Sequence, residues 1–419
     1  TSIYGIVDGL CVSNFVGKTA FAAVNLIMPL PMLLGTIGFM LGTGGSAIVG
    51  ITLGEGDQKK ADRYFTLFLL AALISVSVLA VLGIVFLRPI AVLLGAKGEL
   101  LDYAVRYGRI LMVSLPTFAL QNMFQSFFVT AEKPHLGFWF TVGAGCTNMV
   151  LDVLMVGIWG WGVEGAAIAT FISQLVGGVL PVFYFIDRSN SSRLHLCKTS
   201  FYSKVLRDAC INGSSELMTN LSMSLVNILY NYQLLRLAGE NGVAAYGVIM
   251  YAAFLFVAVF VGYAVGSAPI VSFHYGARNH AEVHNLYRKS LRLIAVVAVT
   301  LTLASMFIIP CVARIFVGYD AELLALTSRA FRLYALSFLI MGFNVYASSF
   351  FTALGDGVTS ALISFLRTLA FQVIAILLLP MLLGIDGIWL AVTAAELAAL
   401  AVSAAMLLTK DKVFHYRKA

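Results

Sequence analysis

The sequence predicts an all-α integral membrane protein of twelve transmembrane helices, arranged as two six-helix bundles related by a pseudo-twofold axis. Three observations carry this. Of 419 residues, 60% are hydrophobic and only 11% charged. Each bilayer-spanning helix needs about 20 apolar residues, so twelve use about 240. Apolar runs separated by polar or Gly/Pro breakers recur twelve times along the chain. Finally, the second half of the chain repeats the pattern of the first at a nearly constant offset. Such a composition excludes soluble globular, disordered and fibrous classes.

The spans follow in order. Helix 1 covers roughly residues 1–16; Thr1 already lies within an apolar pattern, so this helix is expected to begin upstream, and no cleavable signal peptide is visible. Helix 2 covers roughly 21–50 and stops before Gly54-Glu55-Gly56-Asp57. Helices 3 and 4, at roughly 64–87 and 101–131, precede the breaker Glu132-Lys133-Pro134. Helices 5 and 6, at roughly 135–158 and 163–186, flank Gly160-Trp161-Gly162. The longest polar stretch, Asp187 to Ser203, is expected to be a linker. Helices 7 to 10 then cover roughly 204–236, 243–274, 284–312 and 322–353. Gly355-Asp356-Gly357 closes the last of these, and helices 11 and 12 occupy roughly 358–383 and 386–409. The expected organisation is an N-lobe over 1–186, a cytoplasmic linker over 187–203, a C-lobe over 204–409 and a cytoplasmic tail over 410–419.

At an offset of 222, Gly44 falls on Gly266, Ile48 and Val49 on Ile270 and Val271, Gly54 on Gly276, and Ala91 on Ala313. The run Gly162-Val-Glu-Gly165 falls on Gly384-Ile-Asp-Gly387 and Ala169 on Ala391. Six helices per repeat is an even number, so both halves insert in the same orientation, with the substrate path expected between them. Gly38-x-x-x-Gly42 and Gly262-x-x-x-Gly266 would permit close helix approach.

The net charge of +7 belongs to the connectors, not to a nucleic-acid surface. Seventeen Lys and Arg flank the even-numbered connectors and the tail, against nine at the odd-numbered ones. That bias places both termini and the central linker in the cytoplasm. Five cysteines without a CxxC pair read as packing thiols. No Walker-type loop is present, so ATP is not an expected partner. His280 and His284 have helical metal-ligand spacing, but no third ligand cluster is near, and a solvated helix start is the better reading.

Four carboxylates fall inside apolar spans: Asp8, Asp152, Glu216 and Glu396. A charge at that depth is costly enough to imply function. Asp8 follows Tyr4 by four residues and Asp152 follows Asn148 by four, so each acid shares a helical face with a hydrogen-bonding partner. Burial disfavours the charged form of a carboxyl, so such a site can exchange a proton near neutral pH. The bland alternative is a locked hydrogen bond between helices. At the repeat offset Asp8 falls on Tyr230 and Asp152 on Ile374, so these acids belong to the N-terminal half alone. Helix 7 carries a stripe of Glu216, Asn220, Ser224, Asn227 and Asn231, for which cavity lining and helix-packing contacts are both open. Gln121, Asn122 and Gln125 on helix 4 are further candidates for cavity lining. Glu396 is expected to pair with Arg367 structurally.

Several of these residues lie in an ordered set: Tyr4-Gly-Ile-Val-Asp8-Gly, Ala22-Ala-Val-Asn-Leu-Ile-Met-Pro29, Gly42-Thr-Gly-Gly45, Leu53-Gly-Glu-Gly-Asp57, Asn148-Met-Val-Leu-Asp152 and Gly162-Val-Glu-Gly-Ala-Ala-Ile-Ala-Thr170. Over essentially the whole chain this set resembles the multidrug and toxic compound extrusion (MATE) family, within it the prokaryotic DinF-like group. The resemblance implies export of amphipathic, mostly cationic compounds in exchange for H⁺, with Na⁺ the alternative coupling ion. It implies a proton-linked N-lobe network of Tyr4, Asp8, Asn148, Asp152 and Thr170, and a secondary coupling role for Glu216. Relatives with a helix-10 acid differ from this chain, which has no Asp or Glu between Phe331 and Ala353; that argues against Na⁺ coupling centred on the C-lobe.

The expectation is therefore a monomeric antiporter of a prokaryotic cytoplasmic membrane, with no cofactor, no metal and no enzymatic activity. Its partners would be the lipid bilayer and a small amphipathic cation. A flippase of lipid-linked precursors or a metabolite exporter is the nearest alternative, and a non-transporting receptor or scaffold a more distant one.

Overall fold

The computed structural model describes residues 11–317 and 320–416. Among these residues every regular element is helical. The chain divides into two compact units, Thr1–Gly213 and Ser214–Ala419.

In the first unit, a π-helical turn at Val12–Val16 leads into α1 (Lys18–Ile27) and α2 (Pro29–Gly54). They are followed by α3 (Gln58–Leu93), α4 (Glu99–Thr130), α5 (Pro134–Asp152) with a π-helical extension Val153–Ile158, α6 (Gly162–Gly178), α7 (Leu180–Ile186) and α8 (Ser203–Asn212). The predicted breakers act through recognisable chemistry. Asp57 caps α3 by accepting the amide of Lys60 at 3.1 Å. Pro134 opens α5, where its missing N–H costs nothing. Gly160 and Gly162 take positive φ values of 67° and 62°, which lets the chain reverse around Trp161.

Close packing here rests on small residues. A Cβ on Gly38 would come within 2.4 Å of the Ala119 carbonyl oxygen, and one on Gly178 within 2.3 Å of the Thr117 carbonyl oxygen. The α2, α4 and α6 backbones therefore approach without intervening side chains. By contrast, Gly262 and Gly266 have no atom within 4 Å of an added Cβ. The expected close approach at that second glycine pair is not found.

The linker is not a loose tether. His195 N donates to Asp62 Oδ1 at 3.0 Å, Cys197 N to Thr66 Oγ1 at 3.1 Å, and Thr199 Oγ1 to the Arg63 carbonyl at 2.8 Å. Leu194 is fully buried. Residues 194–199 thus lie strapped along the start of α3.

In the second unit, α9 (Ser214–Gly276) is two helices joined at Gly239, whose φ of 60° and ψ of −151° break the helical path. Then come α10 (His280–Val317), α11 (Ala321–Ala335), α12 (Phe338–Ala353), α13 (Gly357–Phe365), a π-helical segment Leu366–Ala370, α14 (Phe371–Leu383), α15 (Ile385–Thr409) and α16 (Asp411–Phe414). The single helix expected over 322–353 is bent by 46° between α11 and α12. The helix expected from 204 is likewise divided, because Gly213 packs directly on Met40, where a Cβ would sit 1.9 Å from its carbonyl oxygen.

Among the described residues, eight helices are long and apolar enough to cross a membrane, or nine counting the bent pair. The spans expected over 101–131 and 204–236 are not among them, and these carry the Gln121–Asn122–Gln125 group and the Glu216 stripe. On the first of them Gln121 and Asn122 are buried against protein, whereas on the second Ser224 and Asn227 are exposed. Of the five cysteines expected to be packing thiols, Cys11 is buried, but Cys146 and Cys311 are exposed.

Candidate functional site

The polar interior of the first unit is assembled on one face of α6. Thr170, Gln174 and Gly177 follow one another at helical spacing, and both polar members are buried. At one end, Asn148 on α5 donates through Nδ2 to Thr170 Oγ1 at 3.4 Å. At the other, the Gln121 side chain from α4 lies on Gly177, where an added Cβ would meet its Cδ at 2.7 Å. Ser173 is buried beside them and returns its hydroxyl to the Thr170 carbonyl at 2.8 Å.

Asn148 and Asp152 are both completely buried, one helical turn apart on α5. The regular helix ends at Asp152, and the next six residues, Val153–Ile158, widen into a π-helix. Such bulges concentrate at functional sites because they re-aim side chains at the expense of regular hydrogen bonding. The start of α6 packs against this segment: a Cβ on Gly165 would lie 3.1 Å from Met155 Cβ.

Four amide atoms in this region are buried and have no hydrogen-bond partner among the described residues: Asn148 Oδ1, Gln121 Oε1, Asn122 Nδ2 and Gln174 Oε1. Burying a polar atom without a partner costs roughly 1–3 kcal/mol. Their concentration on α4, α5 and α6 marks a region of buried polar groups with unused hydrogen-bonding capacity. Gln125, half-buried, borders it.

The sequence-derived set is therefore largely brought together: Asn148, Asp152 and Thr170 form its centre, with Gln121 and Asn122 nearby on α4. Tyr4 and Asp8 lie outside the described residues. Ser173 and Gln174 were not anticipated, although Gln174 stands one turn after Thr170 on the same face.

Glu216, Asn220 and Asn227 belong to the second unit. Asn220 Nδ2 donates to the Glu216 carbonyl at 2.9 Å, and Asn231 Nδ2 to the Asn227 carbonyl at 2.9 Å. These two amides are thus bonded along their own helix. Glu396 does pair with Arg367, Nε to Oε1 at 2.8 Å. His284 bonds through Nδ1 to the Tyr416 carbonyl at 2.9 Å, so it anchors the tail.

Comparison with known proteins agrees with this architecture. The MatE family model matches residues 1–154 and 217–378. A multidrug export protein, MepA of Staphylococcus saprophyticus, is 21% identical over 417 residues, covering 98% of this chain and 90% of the relative. A multidrug resistance MATE family transporter of the MOP superfamily, solved in an outward-facing conformation, superposes with a TM-score of 0.92 at 24% identity, covering 100% of this chain and 93% of the other. A MOP superfamily transporter from Pyrococcus furiosus, whose binding pocket is described as having reverse polarity that suggests a different function, gives 0.91 at 23% identity, with the same coverage of both chains.

Proposed function

Because the chain belongs to the MatE family of membrane transporters, we propose that it is a secondary multidrug efflux antiporter, exporting amphipathic, mostly cationic compounds in exchange for H⁺. The family and the multidrug export relatives support the export reading. The observation that carries the coupling reading is Asp152: a carboxyl with no exposed surface, placed where α5 passes into a π-helix and one turn from Asn148, which bonds Thr170.

In this mechanism Asp152, together with Asp8, holds the exchangeable negative charge. Deprotonated, this polar region favours a cationic guest, because charge attraction is weakly screened away from water. Protonation from the outside removes that attraction and releases the guest. Deprotonation toward the cytoplasm restores it. Asn148 and Thr170 supply neutral hydrogen-bonding groups that accommodate the carboxyl in either state. The cycle requires different affinities in its two states, since a guest bound equally by both shifts nothing. Na⁺ in place of H⁺ would engage Glu216 instead.

The protein is placed in a prokaryotic cytoplasmic membrane with both termini inside, as its Lys and Arg distribution favours. It acts as a monomer, with neither ATP nor a catalytic step.

The test is uptake of a fluorescent cationic dye into proteoliposomes under an imposed pH gradient, with and without Na⁺, for the wild type and Asp152→Asn. Flux that follows the proton gradient and disappears in the variant supports the proposal. Full proton-driven flux in Asp152→Asn would overturn the assignment of that residue, and no dye flux under either gradient would overturn drug export.

A further inference from the structure

The second unit holds a polar cluster of the opposite character. Glu396 on α15 is completely buried, and its carboxylate is fixed by neighbours. Asn344 on α12 donates through Nδ2 to Glu396 Oε2 at 2.7 Å and to the Glu396 carbonyl at 2.9 Å. Ser403 Oγ in turn donates to Asn344 Oδ1 at 2.9 Å, which sets the orientation of that amide. Tyr334 on α11 is buried within electrostatic range of both Glu396 and Arg367.

Arg367 meets this carboxylate in an unusual way. Only Nε takes part, donating to Oε1 at 2.8 Å and to Oε2 at 3.0 Å. A buried Arg–carboxylate pair that serves structure alone ordinarily uses two nitrogens in parallel, because the fork geometry satisfies both groups at once. Here Nη1 and Nη2 make no hydrogen bond among the described residues. Four of the five guanidinium N–H groups thus stand outside the pair. Glu396 is wholly inaccessible, while 13% of the Arg367 side chain is accessible. The residue also sits in the π-helical segment Leu366–Ala370, so the helix gives up its regular bonding at the turn that presents this side chain.

We infer that the Nη edge of Arg367 is a recognition site for a carboxylate. It would be the group that discriminates amphipathic molecules carrying a carboxylate beside their cationic group from simple cations. Two parallel N–H donors in one plane match the two oxygens of a carboxylate, a geometry lysine cannot reproduce. Glu396 acts as the positioning residue: it holds Nε, fixes the plane of the guanidinium and limits its net attraction for an anion. The inference rests on the multidrug export reading, since it defines which molecules that activity accepts.

The experiment measures equilibrium binding to the purified full-length chain of two probes, a xanthene dye with a free carboxylate and its methyl ester. The readout is the ratio of their affinities, which a general loss of structure leaves unchanged. Arg367→Lys keeps the charge and a partner for Glu396 but loses the fork; the acid-to-ester ratio is expected to fall about tenfold. Glu396→Gln is close to isosteric and keeps one acceptor oxygen, which at the Oε2 position can take both Arg367 Nε and Asn344 Nδ2 while the bond at Oε1 is lost, and it leaves the guanidinium charge uncompensated; the ratio is expected to rise. Opposite movements in the two variants support the inference. A ratio that stays constant in both, or falls in both, overturns it while ester binding leaves drug recognition intact. Failure of the wild type to bind either probe overturns both readings.

Discussion

Asn148 and Thr170 meet across α5 and α6 at 3.4 Å, a long hydrogen bond between two buried side chains. The Asn148 side-chain oxygen, Oδ1, has no partner among the described residues. Thr170→Val keeps the volume and removes the hydroxyl. One neutral hydrogen bond is worth about 1 kcal/mol, or roughly a fivefold change in an equilibrium. Proton-driven dye uptake is expected to fall by about fivefold in Thr170→Val, with a stability loss of roughly 1–3 kcal/mol as the buried Asn148 amide loses its acceptor. Serine at the same position keeps the hydroxyl and should retain most of the flux. Equal losses in Val and Ser would assign the position to packing.

Two glycines separate close packing from open space. At Gly178 an added Cβ would press on the Thr117 carbonyl, a backbone atom that cannot rotate aside, whereas at Gly262 it would meet nothing within 4 Å. Gly178→Ala therefore forces α4 and α6 apart, at a cost of about 1–3 kcal/mol. Gly262→Ala removes the entropy penalty of glycine in a helix and should stabilise by about 0.5–1 kcal/mol. Melting temperatures in detergent should accordingly move in opposite directions, down for Gly178→Ala and up for Gly262→Ala.

Lys410 Nζ reaches Asp356 Oδ2 at 2.8 Å, tying the end of α15 to the start of α13. Asp356 also caps α13, accepting from Thr359 N at 3.2 Å and from Thr359 Oγ1 at 2.8 Å. Burial pushes this carboxyl upward, but Lys410 and the two Thr359 bonds outweigh it and hold the group below its ordinary value of 3.8. A lowered carboxyl pKa stabilises the folded chain above the unfolded value, and this contribution is lost as pH falls through the folded value. Asp356→Asn keeps a capping side chain and removes the charge, at an expected cost of up to about 1 kcal/mol. Its deficit in melting temperature should be constant between about pH 5 and 8 and close below about pH 4. A deficit that persists in acid would place the role of Asp356 in packing.

Most of the architecture is legible from simple patterns because a membrane imposes a coarse rule: each span must be apolar and must satisfy its own backbone. Gly160-Trp161-Gly162 and Gly355-Asp356-Gly357 end helices where the pattern places them. The bend between α11 and α12 has no such signal, since neither Leu336 nor Ser337 is a glycine or a proline. The site was visible as Asn148 and Asp152 because polar residues four apart stand out in an apolar span. Ser173 and Gln174 were hidden because serine and glutamine in a helix are unremarkable until a neighbouring helix buries them. The Arg367–Glu396 pair was readable as two opposite charges with nowhere else to go. That only Nε would join it depends on the π-helical turn, which no local sequence pattern announced.

Residues 187–203 have the composition of a linker, yet the amides of His195 and Cys197 are committed to Asp62 and Thr66 of α3. Arg193 adds an ion pair with Glu132 at 3.2 Å, and its carbonyl accepts from Gln58. Apart from the exposed Arg193–Glu132 ion pair these are side-chain-to-backbone contacts, so opening the strap is a local event at a small fraction of the global unfolding free energy. Asp62→Ala removes the acceptor for His195 N and should speed hydrogen exchange across 194–199 by about fivefold to tenfold, the equivalent of one hydrogen bond. Trypsin cleavage after Arg193 and Lys198 should accelerate in parallel, while exchange in α4 and α6 stays at the wild-type rate. Uniform acceleration throughout the first unit would instead make Asp62 part of its global stability and dissolve the distinction between strap and bundle.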